Sequence, residues 1–357
     1  MALAKGYSKE VTVSAGLLVS AAVLLLSVSG LLRCFTASIP IPVVKGIQVG
    51  AGLSLIVSAG TSLLGPSRAD PGWNDNIYWS AFAFILLLVS LRRPLFPSAL
   101  VIFVVGFTIA LVVSGGGFGQ VGVWHPEFFV PSSLDFRSGL DAALGQLPLT
   151  TLNSVIAVSY LSADLFPDFP MPTVTKMGVS VGLMNLSGAW FGCMPVCHGS
   201  GGLAAQYRFG ARSGASIIVL GLVKVVLGLC FGDAFMNIVR LYPKSILGIM
   251  VLAAGLELAK VGESLNTDAR DLWEESNPLD GDSAQDKRCR SLTDEERSQR
   301  SHVMLTTVGV MLAFKNDAVG FAAGMLCHWI YHPLRVGRWL QRQKATRDTE
   351  RELLLSP

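Results

Sequence analysis

One stretch concentrates the residue types that could do chemistry. Gly188 to Gly214 reads Gly-Ala-Trp-Phe-Gly-Cys-Met-Pro-Val-Cys-His-Gly-Ser-Gly-Gly-Leu-Ala-Ala-Gln-Tyr-Arg-Phe-Gly-Ala-Arg-Ser-Gly. Pro195 and the four glycines between Gly192 and Gly202 forbid a continuous helix there. The stretch is flanked by apolar segments, and lipid cannot satisfy the backbone groups that a break sets free. It must therefore line a cavity enclosed by protein. A half-helix is expected to start near Ser200. Its first N–H groups have no helical partner, and together they carry roughly +0.5 charge. Ser200 adds a hydroxyl, while Gly201 and Gly202 let a ligand approach the backbone closely. On physical grounds this is an anion site.

Other polar residues recur on the preceding apolar segment: Gln146, Thr150, Asn153 and Ser154. With α periodicity Gln146, Thr150 and Asn153 share one face. Two readings of that face stand side by side. Amides and hydroxyls can donate to an oxyanion without adding negative charge, or they can hydrogen-bond between helices. Asp164 and Asp168 read as cap and loop residues. His198 is either a hydrogen-bond donor or proton carrier beside the anion, or a structural residue. Cys193, Cys197 and His198 form no metal set, because no second Cys/His cluster completes it. Adjacent Cys197 and His198 diverge, which argues against a nucleophile pair. Lys45 stands close enough to a segment end for its ammonium to snorkel, and Gln48 lies one turn further on. Lys224, deep in an apolar segment, would be costly unless it is paired or faces a cavity.

The elements that must position these groups are membrane segments. Apolar residues make up 51% of the 357, charged residues 15%, and mean hydropathy is +0.52. Soluble domains carry about 25% charged residues, so too little polar surface is available to coat a globule. Between Lys260 and Arg300 lie 18 of the 53 acidic and basic residues, which leaves the remainder more apolar still. No basic, aromatic-laced surface points to nucleic acid, the six scattered cysteines are no disulfide framework, and nothing calls for a cofactor. Segments are expected at 11–32, 43–60, 77–91, 98–113, 139–159, 174–191, 199–210, 214–231 and 245–258. A last stretch, 303–332, is broken near Lys315-Asn316-Asp317. The basic tail after Pro333 places the C-terminus in the cytoplasm. Arg33, Lys45, Arg92, Arg93, Arg208 and Arg212 then fall on the same side, and the loop 114–138 outside. The charged, aromatic-poor loop 260–301 reads as a disordered cytoplasmic connection. The count is about eleven crossings, which puts the N-terminus outside and implies that helices precede Met1. Glu350 to Leu355 fits an acidic-dileucine sorting pattern, so a plasma membrane and a vacuolar or other internal membrane are both open.

Three stretches carry a resemblance: Pro40 to Gln48, Leu152 to Asp168, and Met194 to Gly214. They are similar to the molybdate transporters of plants, algae and fungi, a family related to the sulfate permeases. Pro195-Val196-Cys197-His198-Gly199-Ser200 followed by Gly210-Ala211-Arg212-Ser213 also resembles the permease pattern, although the permeases carry Arg where Leu203 stands here. The resemblance implies an all-α polytopic fold of two inverted seven-helix repeats with half-helices, a core and a gate domain, and an elevator-like exchange. Mapped onto this chain, 1–38 is a core-domain helix and 39–138 holds gate helices of the first repeat. Residues 139–232 hold core helices of the second repeat with the anion half-helix. Its gate helices are 233–335, including the loop 260–301, and 336–357 is a cytoplasmic tail. The family's opening helices have no counterpart here, so about three crossings are expected before Met1. The implied function is secondary transport of molybdate or a similar oxyanion across a lipid bilayer, not catalysis. Ser200, Gly201, Gly202, His198, Gln146 and Asn153 are the expected contacts. Sulfate is the alternative substrate, a truncated transport-incompetent protein the alternative role, and a second copy of the chain a candidate partner.

Overall fold

The computed structural model describes residues 8–64, 72–92, 98–115, 128–167, 169, 172–267, 269–274 and 288–332. Arg93, Asp168, the basic tail and the dileucine pattern lie outside the described residues.

The described chain is helical apart from one two-residue antiparallel pairing, Trp273–Glu274 with Arg288–Cys289. Among the described residues three helices are long and apolar enough to cross a membrane: Lys9–Val28, Ile41–Leu63 and Lys244–Asn266, with mean hydropathies of 2.3, 1.5 and 1.7. Ile77–Ser90, Ser98–Val113 and Ala215–Cys230 are apolar but shorter. The chain divides into two compact units. One comprises Met1–Gly50, Phe129–Ser200 and Lys260–Pro357, and the other Ala51–Phe128 and Gly201–Ala259.

The first unit is built on α1 (Lys9–Val28), α2 (Leu31–Ala37) and the start of α3 (Ile41–Ser58). Then come α6 (Ser133–Leu149), a π-helical segment Thr150–Ala157, α7 (Val158–Leu165) and α8 (Val174–Ala189). It closes with α13 (Asp294–Phe314) and α14 (Asp317–Tyr331). Small residues let these helices approach closely, as membrane packing requires. A Cβ on Gly139 would lie 3.0 Å from the Ala15 nitrogen, and one on Gly182 would lie 2.9 Å from Leu24 Cβ. Ala15, Val19, Val23, Val155, Val174 and Val181 form one buried cluster. Ile39, Val43, Val44, Ile47, Leu152, Ile156 and Val303 form another. The expected break near residue 315 is present. Lys315 takes a left-handed conformation (φ 49°) at the end of α13, and the Asn316 side chain caps α14 by accepting from the Ala318 and Val319 N–H groups.

The second unit holds α4 (Ile77–Arg92), α5 (Ser98–Val113), most of α9 (Ser200–Arg208), α10 (Ala215–Cys230), α11 (Gly232–Arg240) and α12 (Lys244–Lys260). Its core gathers Ala83, Leu87, Ile102, Ile109, Ile246, Ile249 and Ala253. Gly52 and Gly255 bring α3 and α12 into backbone contact, since a Cβ on either would sit 2.7 Å from the carbonyl oxygen of the other. The Asp75 carboxylate accepts from the Lys244 and Ser245 N–H groups, at 3.1 and 2.9 Å, and so stabilises the N-terminus of α12. α10 has no buried residue. Apolar yet unburied within its unit, it has the composition of a helix surrounded by lipid or another protein. Lys224 is exposed on it, so its ammonium is not enclosed by its own unit.

Two expectations change. The described parts of 260–301 are ordered and packed, not an unpacked connection. Val261–Asn266 and Arg270–Leu272 form 3-10 turns. Arg300 donates to both Asp271 carboxylate oxygens and to the Leu265 carbonyl. Asp294 to Ser301 already belong to α13, started by a capping box in which Thr293 and Glu296 satisfy each other's backbone N–H. The second change is α11, an additional helix between 232 and 240.

Candidate anion site at the start of a nine-residue helix

Pro195 and its glycines break the chain as expected. α8 ends at Ala189, Trp190 to Gly192 make a turn, and Cys193–Gly199 runs without helix until α9 starts at Ser200. Gly192 has φ 66°, a left-handed conformation that favours glycine. Two devices hold this non-helical segment within the first unit. Asn185, on α8, clamps Val196 from both sides: its Nδ2 donates to the Val196 carbonyl and its Oδ1 accepts from the Val196 N–H, each at 2.7 Å. The Pro195 ring packs against Gly16, where a Cβ would lie 2.2 Å from Pro195 Cγ, so no larger residue fits at position 16.

At the end of this segment Ser200 is fully buried and donates its hydroxyl proton to Asn153 Oδ1 at 2.6 Å. Its hydroxyl is thus committed to Asn153. The Asn153 Nδ2 has no partner among the described residues, and it is the side-chain donor left over. His198 is tied elsewhere, its Nε2 lying 3.0 Å from Ser180 Oγ on α8. Gln146 keeps its Oε1 buried without a partner among the described residues. Of the expected side chains, then, Ser200 and Asn153 are brought together by a bond, while His198 is held by Ser180. Gly201 and Gly202 continue the first turn of α9 in the second unit. A Cβ on Gly201 would meet Leu55 Cδ1 at 3.0 Å, whereas nothing lies within 4 Å of one on Gly202.

The helix that carries Asn153 departs from the periodicity assumed for it. Thr150–Ala157 is π-helical, following Pro148 in the last turn of α6. Pro148 has no N–H to give to the ladder. The wider π turn also changes the angle between successive side chains, so equal spacing no longer places Gln146, Thr150 and Asn153 on one α face.

A chain of polar contacts was not foreseen. Lys45 does not snorkel: it is 2% exposed, and its Nζ lies 2.6 Å from Asp164 Oδ2 and 3.0 Å from Ser264 Oγ. Asp164 is not a loop residue; it belongs to the last turn of α7. One turn further along α3, the fully buried Gln48 donates from Nε2 to the Ala157 carbonyl at 2.9 Å. A signal was available in the sequence. Two opposite charges in apolar segments are each other's natural partners.

The composition, the broken helix and its polar setting invite comparison with known proteins. A family model described as "Molybdate transporter of MFS superfamily" matches residues 1–55 and 138–258. Molybdate transporter 2 of Arabidopsis thaliana is 37% identical, over 88% of this chain and 70% of its own length. The chain belongs to the molybdate transporter family. Molybdate transporter 1 of the same plant is 31% identical, over 91% of this chain and 73% of its own length. Molybdate transporter 1 of Chlamydomonas reinhardtii is 44% identical, over 46% of this chain and 33% of its own length. The two stretches matched by the molybdate transporter model contain Lys45, Gln48, Asn153, Asp164, His198 and Ser200. Family membership and the long apolar helices make this a multi-pass membrane protein.

Proposed function

We propose that this protein is a secondary transporter that moves molybdate across a membrane and binds the anion at the N-terminus of α9. The observation that carries the reading is the fixed non-helical run Cys193–Gly199 delivering Ser200 to a helix start. Molybdate is a tetrahedral dianion whose oxygens only accept hydrogen bonds. The unpaired N–H groups of Ser200, Gly201 and Gly202 supply donors and partial positive charge. Asn153 Nδ2 adds a side-chain donor, oriented because Ser200 occupies its Oδ1. His198, two residues before the helix, keeps its second ring nitrogen for the anion or a proton. Gln146 stands as a further contact. None of these groups is acidic, so the site attracts a dianion without repelling it.

The relatives named molybdate transporters support molybdate over sulfate, although both anions share charge and shape. Uptake of labelled molybdate by cells that lack it is the test, with excess sulfate as competitor. Molybdate accumulation that sulfate inhibits weakly is expected, and sulfate transport without molybdate transport overturns the assignment.

The architecture belongs to the same proposal. The break before a nine-residue helix is the kind of discontinuity that inverted-repeat transporters place at the bilayer midplane. On this reading the fold is the seven-plus-seven inverted repeat, with 1–38 and 139–232 in the core domain and 39–138 and 233–335 in the gate domain. The chain makes about eleven crossings with a cytoplasmic C-terminus. Impermeant thiol reagents on single-cysteine variants check this. Arg92 and Arg212 positions should label from the cytoplasm and Gly115 from outside.

A further inference from the structure

We infer that Gln48 is a positioning residue for the anion site: by bonding the Ala157 carbonyl it holds the π-helical segment that aims Asn153 at Ser200. The inference rests on the anion-site reading above.

All four residues lie in the first unit. Gln48 has no exposed surface, and its Nε2 donates to the Ala157 carbonyl at 2.9 Å while its Oε1 is buried with no partner among the described residues. A buried amide with one end unpaired costs stability. An apolar side chain of equal size would avoid that cost, so whatever the amide contributes comes through the bond it does make.

That bond falls at a sensitive place. Ala157 is the last residue of the π segment, and Val158 opens α7. Here the bonding pattern passes from i→i+5 to i→i+4. π-helix is rare and occurs mostly as single-turn bulges, so an eight-residue π segment needs surroundings that hold it. A side-chain donor inserted at the junction is one of the few things that can hold it. Packing supports the same alignment, because Val44 and Ile47 of α3 share a buried cluster with Leu152 and Ile156 of the π segment. One turn beyond Gln48, Lys45 fixes the far end of α7 through Asp164. α3 thus grips the helix on the C-terminal side of Asn153 at two points. If the π segment relaxes to α, the angle between Asn153 and Ala157 changes, and Asn153 Oδ1 leaves Ser200, now 2.6 Å away.

The experiment measures molybdate uptake against concentration in uptake-deficient cells, at equal protein amount, for Gln48→Met, Gln48→Asn, Asn153→Ala and the two Gln48 changes combined with Asn153→Ala. Methionine keeps the volume and cannot donate. Asparagine keeps the amide but falls short of the carbonyl, and it serves if the methionine protein fails to accumulate. Each single change should raise the half-saturation concentration about three- to ten-fold, the range of one net hydrogen bond, with the maximal rate altered far less. In the Asn153→Ala background the Gln48 changes should add less than about two-fold, because the residue they orient is gone. Additive effects with a normal Asn153→Ala defect overturn the role of Gln48 and leave the site standing. An unchanged half-saturation in Asn153→Ala removes the site and this inference together.

Discussion

The ion pair between Lys45 and Asp164 allows a quantitative prediction. Lys45 and Asp164 side chains are 3% and 17% exposed, and Nζ and Oδ2 are 2.6 Å apart. Ser264, in the turn after α12, takes a second ammonium proton at 3.0 Å. Three parts of the chain therefore meet on one buried charge: the start of α3, the end of α7 and the turn at 261–266. Replacing Lys45 by Met removes this ammonium from beside the Asp164 carboxylate, and a broken buried pair costs about 3–5 kcal/mol. Asp164→Asn should cost at least as much, because the cation it abandons is the more deeply buried partner. Replacing both together removes the charges as well as their attraction, and buried pairs exchanged for apolar groups are often neutral. The double variant Lys45→Met, Asp164→Leu should therefore recover to within about 1–2 kcal/mol of the parent, a coupling of several kcal/mol. The measurement is graded SDS unfolding of the purified protein in mixed micelles, applied to the parent, both singles and the double. Additivity of the two single effects within about 0.5 kcal/mol would refute the claim that these charges depend on each other. Near-zero single effects would return Lys45 to a solvated, snorkelling role.

Gly202→Val tests backbone access at α9 more cleanly than Gly201→Val, because a Cβ at 202 meets nothing within 4 Å while one at 201 meets Leu55; molybdate uptake should fall at least ten-fold in Gly202→Val with unchanged protein amount, and normal uptake removes this turn from the site. Asn185→Leu strips both bonds from Val196 and should cost about 1–3 kcal/mol in the same unfolding assay, with wild-type stability refuting the clamp. Near the wet end of α13, the Thr293 N–H foremost, and then Arg290, hold the Glu296 carboxylate below its ordinary range. A lowered folded value means stability that is present at neutral pH and lost as pH falls through it. Amide exchange at 294–300, corrected for its intrinsic pH dependence, should lose protection on acidification in the parent and lose less in Glu296→Gln; identical profiles would count against the capping box.

Breaks were legible in this sequence and lateral contacts were not. Proline and glycine act locally, so the non-helical run before Ser200 and the interruption at Lys315 to Asp317 could be read from residue types alone. α11 was missed for the same local reason. It opens at Gly232, in a left-handed conformation (φ 40°) directly after α10, and buries Ile238; a nine-residue amphipathic helix carrying Asp233, Asn237 and Arg240 is too short and too polar to stand out as an apolar segment. Judged by the nearest segment end, Lys45 belongs at the interface and Asp164 in a loop. Their partners lie far away in the chain, and only the packed helices bring them together. The π segment marks the deepest limit. A helical face deduced from equal spacing assumes a constant turn angle, and that assumption fails where Pro148 precedes Thr150–Ala157 and Gln48 bonds its last carbonyl. Asn153 could thus be recognised as a candidate from its chemistry, while its partner could not be deduced from its period. The contact that ties it to Ser200, at 2.6 Å, depends on a local departure from the α-helix that the expectation assumes.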